Sequence, residues 1–286
     1  MIGIVGCGSM GASMAARLVE CGHGIVCYDA SSEARARMAA SGAQVMEDLD
    51  ALAALATTII LSLPKADIVR AVMAGLGPSV GSGTVVLDTS TSEPETTRTL
   101  AKEAAAAGYT FIDGPVSGGP GGARAGTMTM VLGGEAATID SLRPILTDMT
   151  AKTVHVGPAG SGHAAKIANN LLCAANLVLV AEMGRLADSA GVPLGSLLEG
   201  VNAGSGRSGV SEVNFPRWIL SGTYDSGFTT GLMRKDVGLA VSLAERAGLD
   251  LPATRAIADI WEASRDTLPD SSDFNEITKY GATPDV

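Results

Sequence analysis

The sequence predicts an α/β domain followed by an all-α domain, the two joined by a long helix. Two observations predict it. Short apolar runs alternate with alanine-rich helical segments as far as about residue 157, the pattern of βαβ units on a mostly parallel sheet. Beyond "VHVGPAGSG" the strand signals stop and helical ones continue to the end of the chain. The glycine and proline punctuation at 157–162 therefore sets the expected boundary, with one domain over 1–160 and a second, all-helical, over 161–286.

In the first domain the runs "MIGIVG", "GIVCYD", "TTIILSLP", "GTVVLDTS" and "YTFIDGPVS" are β-rich and close on Gly, Pro, Ser or Asp. Between them, "MGASMAARLVECG", "SSEARARMAASG" and "EPETTRTLAKEAAAAG" carry helical spacing. In the second domain, "HAAKIANNLLCAANLVLVAEMGRLADSAG" reads as a helix of nearly thirty residues. Shorter helices follow in "PLGSLLEGVNAG", "LMRKDVGLAVSLAERAG" and "LPATRAIADIWEASRD".

Bulk properties narrow the classes of function. The 286 residues are 46% hydrophobic, enough for two ordinary cores. Twenty basic against thirty acidic side chains give a net charge of −10, which argues against nucleic acid or an anionic membrane as a partner. The cysteines Cys7, Cys21, Cys27 and Cys173 lack a CxxC spacing, and with three histidines no metal site is expected. The run Leu171 to Ala181 is too short to span a bilayer, and no basic leader precedes the first strand, so a cytoplasmic protein is expected.

Residues 6–11 read Gly6-Cys7-Gly8-Ser9-Met10-Gly11, directly after an apolar strand and directly before a helical pattern. Glycine at 6, 8 and 11 permits a tight turn, close approach of a pyrophosphate and close helix-to-strand packing, with the phosphate on the helix N-terminus. The first domain is thus expected to be a Rossmann-type dinucleotide-binding domain. Asp29 closes the next strand 18 residues after Gly11, where a carboxylate binds the adenosine ribose hydroxyls and repels a 2′-phosphate. NAD is the expected cofactor, with NADP second. Arg35 and Arg37 lie downstream and weaken that preference without directly following the acid.

Two features look catalytic. "DGPVSGGPGGARAG", residues 113–126, is a glycine-rich loop in which backbone N–H groups and the Ser117 hydroxyl can converge on a carboxylate. Lys166 is the sole Lys, Arg, Asp or Glu between Thr153 and Ala181. Helical spacing puts 163, 166 and 170 on one face, with 169 beside it. A lone ammonium in a dry core costs several kcal/mol, whereas a crevice between domains that holds a polar ligand accommodates it. There a lysine can serve as general acid and base, since desolvation favours its neutral form. His163 is the rival for that role, and Asn169 reads equally as a substrate contact or a packing residue.

Taken in order, "GCGSMG", "SLP", "DTSTSEP", "DGPVSGG", "GSGHAAKIANN" and "LMRKD" resemble the β-hydroxyacid dehydrogenase family over essentially the whole chain, and within it the 3-hydroxyisobutyrate dehydrogenases. The resemblance implies NAD(P)-dependent interconversion of a small β-hydroxy acid and its semialdehyde. It implies Lys166 as the catalytic lysine, Asn170 as its substrate-binding partner, and Ser117, Gly118 and Gly119 as the carboxylate cradle. Leu63, Pro64 and Thr91 resemble the family's cofactor contacts beside Gly6, Gly8, Ser9, Met10, Gly11 and Asp29. Lys235 resembles a second lysine that reaches the cofactor from the helical domain.

"YDASSEA" after the second strand lacks the Asn-Arg-Thr type of sequence of NADP-using relatives. The alternatives are reduction of tartronate, succinic or sulfonated semialdehydes, an imine reductase-like enzyme, or a non-catalytic cofactor-binding module. Imine reductases usually lack a lysine at position 166, and phosphogluconate enzymes are much longer. A homodimer or homotetramer is expected from the apolar helical half. The region from Ser208 to Ser221 carries the least resemblance, and it is expected to shape the substrate pocket.

Overall fold

The structure, a computed structural model, describes residues 1–281; the last five residues of the expected second domain lie outside the described residues. The chain divides into two compact units, Met1–Lys166 and the part from Ile167 onward. The division falls within the long helix.

The first unit is built on nine strands: β1 Ile2–Val5, β2 Ile25–Tyr28, β3 Gln44–Val45, β4 Thr58–Leu61, β5 Val85–Asp88, β6 Thr110–Asp113, β7 Val116–Ser117, β8 Met128–Gly133 and β9 Thr150–Gly157. They form one sheet in the order β3-β2-β1-β4-β5-β6-β8-β7, with β9 also paired to β8. The pairs from β3 to β6 are parallel. Eight helices accompany them: α1 Ser9–Glu20, α2 Ser32–Ala40, α3 Leu49–Leu55, α4 Ala66–Leu76, α5 Pro94–Ala107, α6 Gly119–Ala125, α7 Ala136–Ser141 and α8 Arg143–Met149. The sequence reading did not anticipate the antiparallel pairing of β8 with β6 and β7. The short β7 and its turn are cut from the glycine-rich loop, where β propensity is weak.

Alternation along the strands sends side chains to two cores, one on each face of the sheet. Ile60, Leu87 and Ile112 pack with Met14 and Leu18 of α1 and with Leu146 and Met149 of α8. Ile59, Leu61, Val86 and Phe111 pack with Val69, Met73 and Leu76 of α4 and with Leu100 of α5. Register then aligns the strand ends: Val5 pairs with Tyr28 and Leu61, Leu61 with Asp88, and Asp88 with Asp113. The loops that follow these residues leave the sheet at one edge, the carboxyl edge where ligands of open parallel sheets bind.

Helix α9, Ser161–Ser189, spans 29 residues. By length and composition alone it is apolar enough to cross a bilayer, which the shorter run from Leu171 to Ala181 does not suggest. Its buried face, however, enters a protein core. In the second unit Leu177 and Val178 of α9 pack with Leu198 of α10 (Leu194–Ala203), Met233 and Val237 of α11 (Thr230–Arg246) and Trp261 of α12 (Pro252–Ala263). The Trp261 Nε1–H donates to the Ala174 carbonyl at 3.3 Å, which satisfies the indole inside that core. Residues Val210–Ile219, in the stretch of least resemblance, form a π-helical segment with Pro216 inside it.

Candidate active site

The glycine motif is a fitted turn. A Cβ on Gly11 would lie 1.9 Å from the Gly6 carbonyl oxygen, so only glycine lets α1 start this close to β1. A Cβ on Gly8 would meet nothing within 4 Å, so the middle glycine faces open space over the start of α1. Gly8 is the N-cap of α1 and no side chain caps it, leaving the first N–H groups, on Ser9 and Met10, for an anion. Such a cradle fits the pyrophosphate of a dinucleotide.

Asp29 sits at the end of β2 and braces this turn. Its Oδ2 accepts from the Cys7 N–H at 2.6 Å and its Oδ1 from the Ser31 N–H at 2.8 Å. Each oxygen keeps a lone pair that ribose hydroxyls can use. Arg35 donates to the Asp29 and Ala30 carbonyls and lies over the Tyr28 ring at 5.8 Å. Leu63 and Ser90 join two further loops, through a 3.0 Å bond from the Leu63 N–H to Ser90 Oγ. Pro64 and Thr91 flank these two residues in the same loops.

Lys166 and Ser117, 49 residues apart, meet directly. The Lys166 Nζ donates to Ser117 Oγ at 2.7 Å, and the lysine is 8% exposed. Ser117 ends β7, whose pairing with Met130 and Thr129 of β8 fixes it. Gly118, at φ +128°, turns the chain into α6, and Gly119 opens that helix. Lys166 and the Ser117–Gly119 stretch, the expected proton-transfer group and the expected carboxylate cradle, thus lie side by side in the first unit.

In the second unit, Asn170 is buried and its Nδ2 donates to Asp236 Oδ2 at 2.5 Å, while its Oδ1 accepts from Asn169 Nδ2 at 3.1 Å. Lys235 Nζ lies 3.1 Å from Asp236 Oδ1. Sequence reasoning missed Asp236, which joins Asn170 and Lys235. Its neighbour Arg234 is a structural hub, donating to the Trp261 and Leu268 carbonyls, Ser264 Oγ and Asp270 Oδ1.

Asp88, Asp113 and His163 were also missed as a group. The two acids end β5 and β6 and read in sequence as turn residues; all three are fully buried. Asp113 accepts from the Gly160 and His163 N–H groups, both at 2.8 Å, and so caps α9 from another strand. The His163 ring is committed to Thr97 and to the Ser90 carbonyl, which removes it as a rival proton carrier.

Burial pushes the Asp88 carboxyl above the usual carboxylate range. His163 and the hydrogen bonds from Ser90 oppose that rise, and the Asp113 charge adds to it. A carboxyl raised by folding contributes stability that is full below its unfolded pKa and is lost as pH rises through the folded value. Asp88→Asn is therefore expected to gain thermal stability over the wild type progressively as pH rises from about 4. Melting curves across pH check this; a difference independent of pH contradicts it.

A glycine turn with an acid after the next strand, and a buried lysine against a glycine-rich loop, fit a nicotinamide-dependent dehydrogenase. Residues 1–157 match the model of the NAD-binding domain of 6-phosphogluconate dehydrogenase. Residues 160–280 match the model described as NAD-binding of NADP-dependent 3-hydroxyisobutyrate dehydrogenase. The chain is 37% identical to 2-(hydroxymethyl)glutarate dehydrogenase of Eubacterium barkeri over 92% of this chain and 89% of that one. It is 33% identical to 3-hydroxyisobutyrate dehydrogenase of Pseudomonas aeruginosa over 97% of each. The solved 3-hydroxyisobutyrate dehydrogenase of Mycobacterium tuberculosis with L-serine superposes with a TM-score of 0.92 at 31% identity, over 97% of each chain. The protein belongs to the β-hydroxyacid dehydrogenase family, close to the 3-hydroxyisobutyrate dehydrogenases.

Proposed function

We propose that the protein oxidises 2-substituted 3-hydroxypropanoates with NAD, 3-hydroxyisobutyrate being the type substrate, or reduces the corresponding semialdehydes. The observation that carries this reading is the 2.7 Å contact of Lys166 with Ser117. In a β-hydroxy acid two carbon–carbon bonds separate carboxyl and carbinol carbons, so the groups binding them must be adjacent. The three ligands named for the relatives, 3-hydroxyisobutyrate, 2-(hydroxymethyl)glutarate and L-serine, share one core, a primary alcohol β to a carboxylate.

In this reading Ser117 Oγ and the Gly118 and Gly119 backbone hold the carboxylate, and Lys166 Nζ takes the hydroxyl proton. The nicotinamide cofactor, when bound, supplies the hydride acceptor. Substrate alcohol and oxidised cofactor give semialdehyde, reduced cofactor and a proton, which Lys166 passes on; as ammonium it returns the proton in reduction. The cradle contributes orientation. Gly6, Gly8, Ser9, Met10, Gly11, Leu63, Pro64 and Thr91 are the proposed cofactor contacts. Roles for Asn170 with substrate and Lys235 with cofactor rest on the family resemblance. An assay of 3-hydroxyisobutyrate, L-serine, 2-(hydroxymethyl)glutarate and a cyclic amine with NAD tests the reading; activity confined to the amine would favour the imine reductase alternative.

NAD is proposed over NADP because an acid directly after β2, Asp29, would repel a 2′-phosphate brought to the ribose position. Asp29→Asn is expected to lower kcat/KM with NAD by about tenfold, the loss of one hydrogen bond to a charged group, and to raise that with NADP. Steady-state kinetics with both cofactors measures this, and a wild type that prefers NADP contradicts it.

A homo-oligomer, dimer or tetramer, is proposed in a reducing, cytoplasmic setting, to which the free state of all four cysteines is suited. In its support, Leu172, Leu179 and Leu186 recur every seven residues on α9 and are 64%, 49% and 61% exposed, with Met183 beside them. Light scattering is expected to give a multiple of 28.8 kDa, reduced by Leu179→Glu; a monomeric wild type contradicts it.

A further inference from the structure

One buried imidazole joins the turn that carries Lys166 to the loops of the carboxyl edge. His163 stands three residues before Lys166 on α9 and is fully buried. Its Nε2 lies 2.9 Å from the Ser90 carbonyl, which can only accept, so Nε2 carries hydrogen. Its Nδ1 lies 2.7 Å from Thr97 Oγ1 of α5, and the hydroxyl can donate to it. Ser90 is in turn a node: its N–H donates to Asp88 Oδ1 at 3.0 Å and its Oγ accepts from the Leu63 N–H at 3.0 Å. Asp88 Oδ2 makes no hydrogen bond and lies 3.8 Å from His163 Nε2. The ring thus reaches both cofactor-side loops, one directly at Ser90 and one through Ser90 at Leu63.

We propose that His163 is a positioning residue for hydride transfer: its ring holds the Leu63–Pro64 and Ser90–Thr91 loops against the turn of α9 that bears Lys166, keeping cofactor and proton acceptor in mutual alignment. The inference rests on the roles given above to Lys166 and to those loops. Ser117 is held by the β7 to β8 ladder and makes no bond to this ring, so the carboxylate cradle stands apart from the device.

The test compares His163→Leu, which fills the space without polar groups, with His163→Gln, whose amide can donate to the Ser90 carbonyl. His163→Leu is expected to lower kcat by at least about tenfold, within the cost of ångström-scale misplacement. It is expected to raise KM for NAD while changing KM for the hydroxy acid by less than about twofold. His163→Gln is expected to restore most of the loss. Thr97→Val, which keeps shape and removes the bond to Nδ1, is expected to move kcat and the NAD KM in the same direction, and it serves if His163→Leu does not fold.

Wild-type kcat and NAD KM in His163→Leu would overturn the proposal. A Gln variant no better than Leu, with both KM values raised alike, would overturn it as well, since that is the mark of a general loss of structure. Dissociation constants for NADH are measured by fluorescence in the Lys166→Ala background, where no turnover is needed. Weaker binding there on adding His163→Leu supports the loop contact even if Lys166 fails as proton carrier, so the two failures are distinguishable.

Discussion

Lys166→Ala is expected to retain nicotinamide-cofactor binding and to lose turnover by about 10²–10⁴-fold, the usual contribution of a positioned acid–base group. The lysine donates to Ser117 and is nearly buried, while the glycine turn and Asp29 lie on other strands. Removing the amine therefore leaves the cradle for the dinucleotide intact. Lys166→Arg separates charge from proton transfer. A guanidinium can still donate to Ser117 Oγ and attract a carboxylate, but it does not give up its proton near neutral pH. KM for the hydroxy acid is expected to rise less in the Arg variant than in the Ala variant, with kcat depressed in both. Stopped-flow and steady-state kinetics, with NADH binding followed by fluorescence, supply the readouts. A near-normal kcat in either variant would remove Lys166 from the chemistry.

The dinucleotide turn was legible because its constraints are local. Gly11 is dictated by the Gly6 carbonyl five residues earlier and Gly6 by its φ of +94°, while the middle Gly8 faces open space; Asp29 is set by the length of one βαβ step. Lys166 was legible for a different reason: a single charge in an apolar helix is either exposed to water or held by a polar partner. The Ser117 hydroxyl was legible in the glycine-rich loop as a carboxylate contact, but its direct bond to Lys166 was not.

Less legible was whatever depends on two distant strand ends meeting. Asp88 and Asp113 close their strands like ordinary turn residues, and nothing in either run indicates that register sets them side by side. The same holds for Asp236: "LMRKD" shows a lysine beside an acid, but not that the acid holds the Asn170 amide. Buried polar networks must be satisfied as a whole, so their members become visible only when all the elements are in place.

Asp113→Ala is expected to be the most damaging single change outside the proposed catalytic group. Two N–H groups at the start of α9, on Gly160 and His163, have the Asp113 carboxylate as acceptor. Each hydrogen bond to a charged acceptor is worth about 1.5–3 kcal/mol, so losing both at a buried site costs about 3–6 kcal/mol, a large share of the stability of a typical domain. Asp113→Asn keeps one acceptor and is expected to lose about half as much.

Close approach makes the same point from the other side. A Cβ on Gly133 would lie 2.5 Å from Asp113 Oδ1 and 2.8 Å from the Gly162 nitrogen, so Gly133→Ala must push the carboxylate off the helix end or move the backbone. If the carboxylate is what yields, Gly133→Ala costs less in the Asp113→Ala background than in the wild type. Chemical denaturation of the four proteins measures that coupling. Because the anchored turn also carries Lys166, turnover is expected to fall with stability in Asp113→Ala, even at temperatures where the chain stays folded. Additive stability losses, or full turnover in the folded Asp113→Ala protein, would show that the cap does not set the position of the lysine.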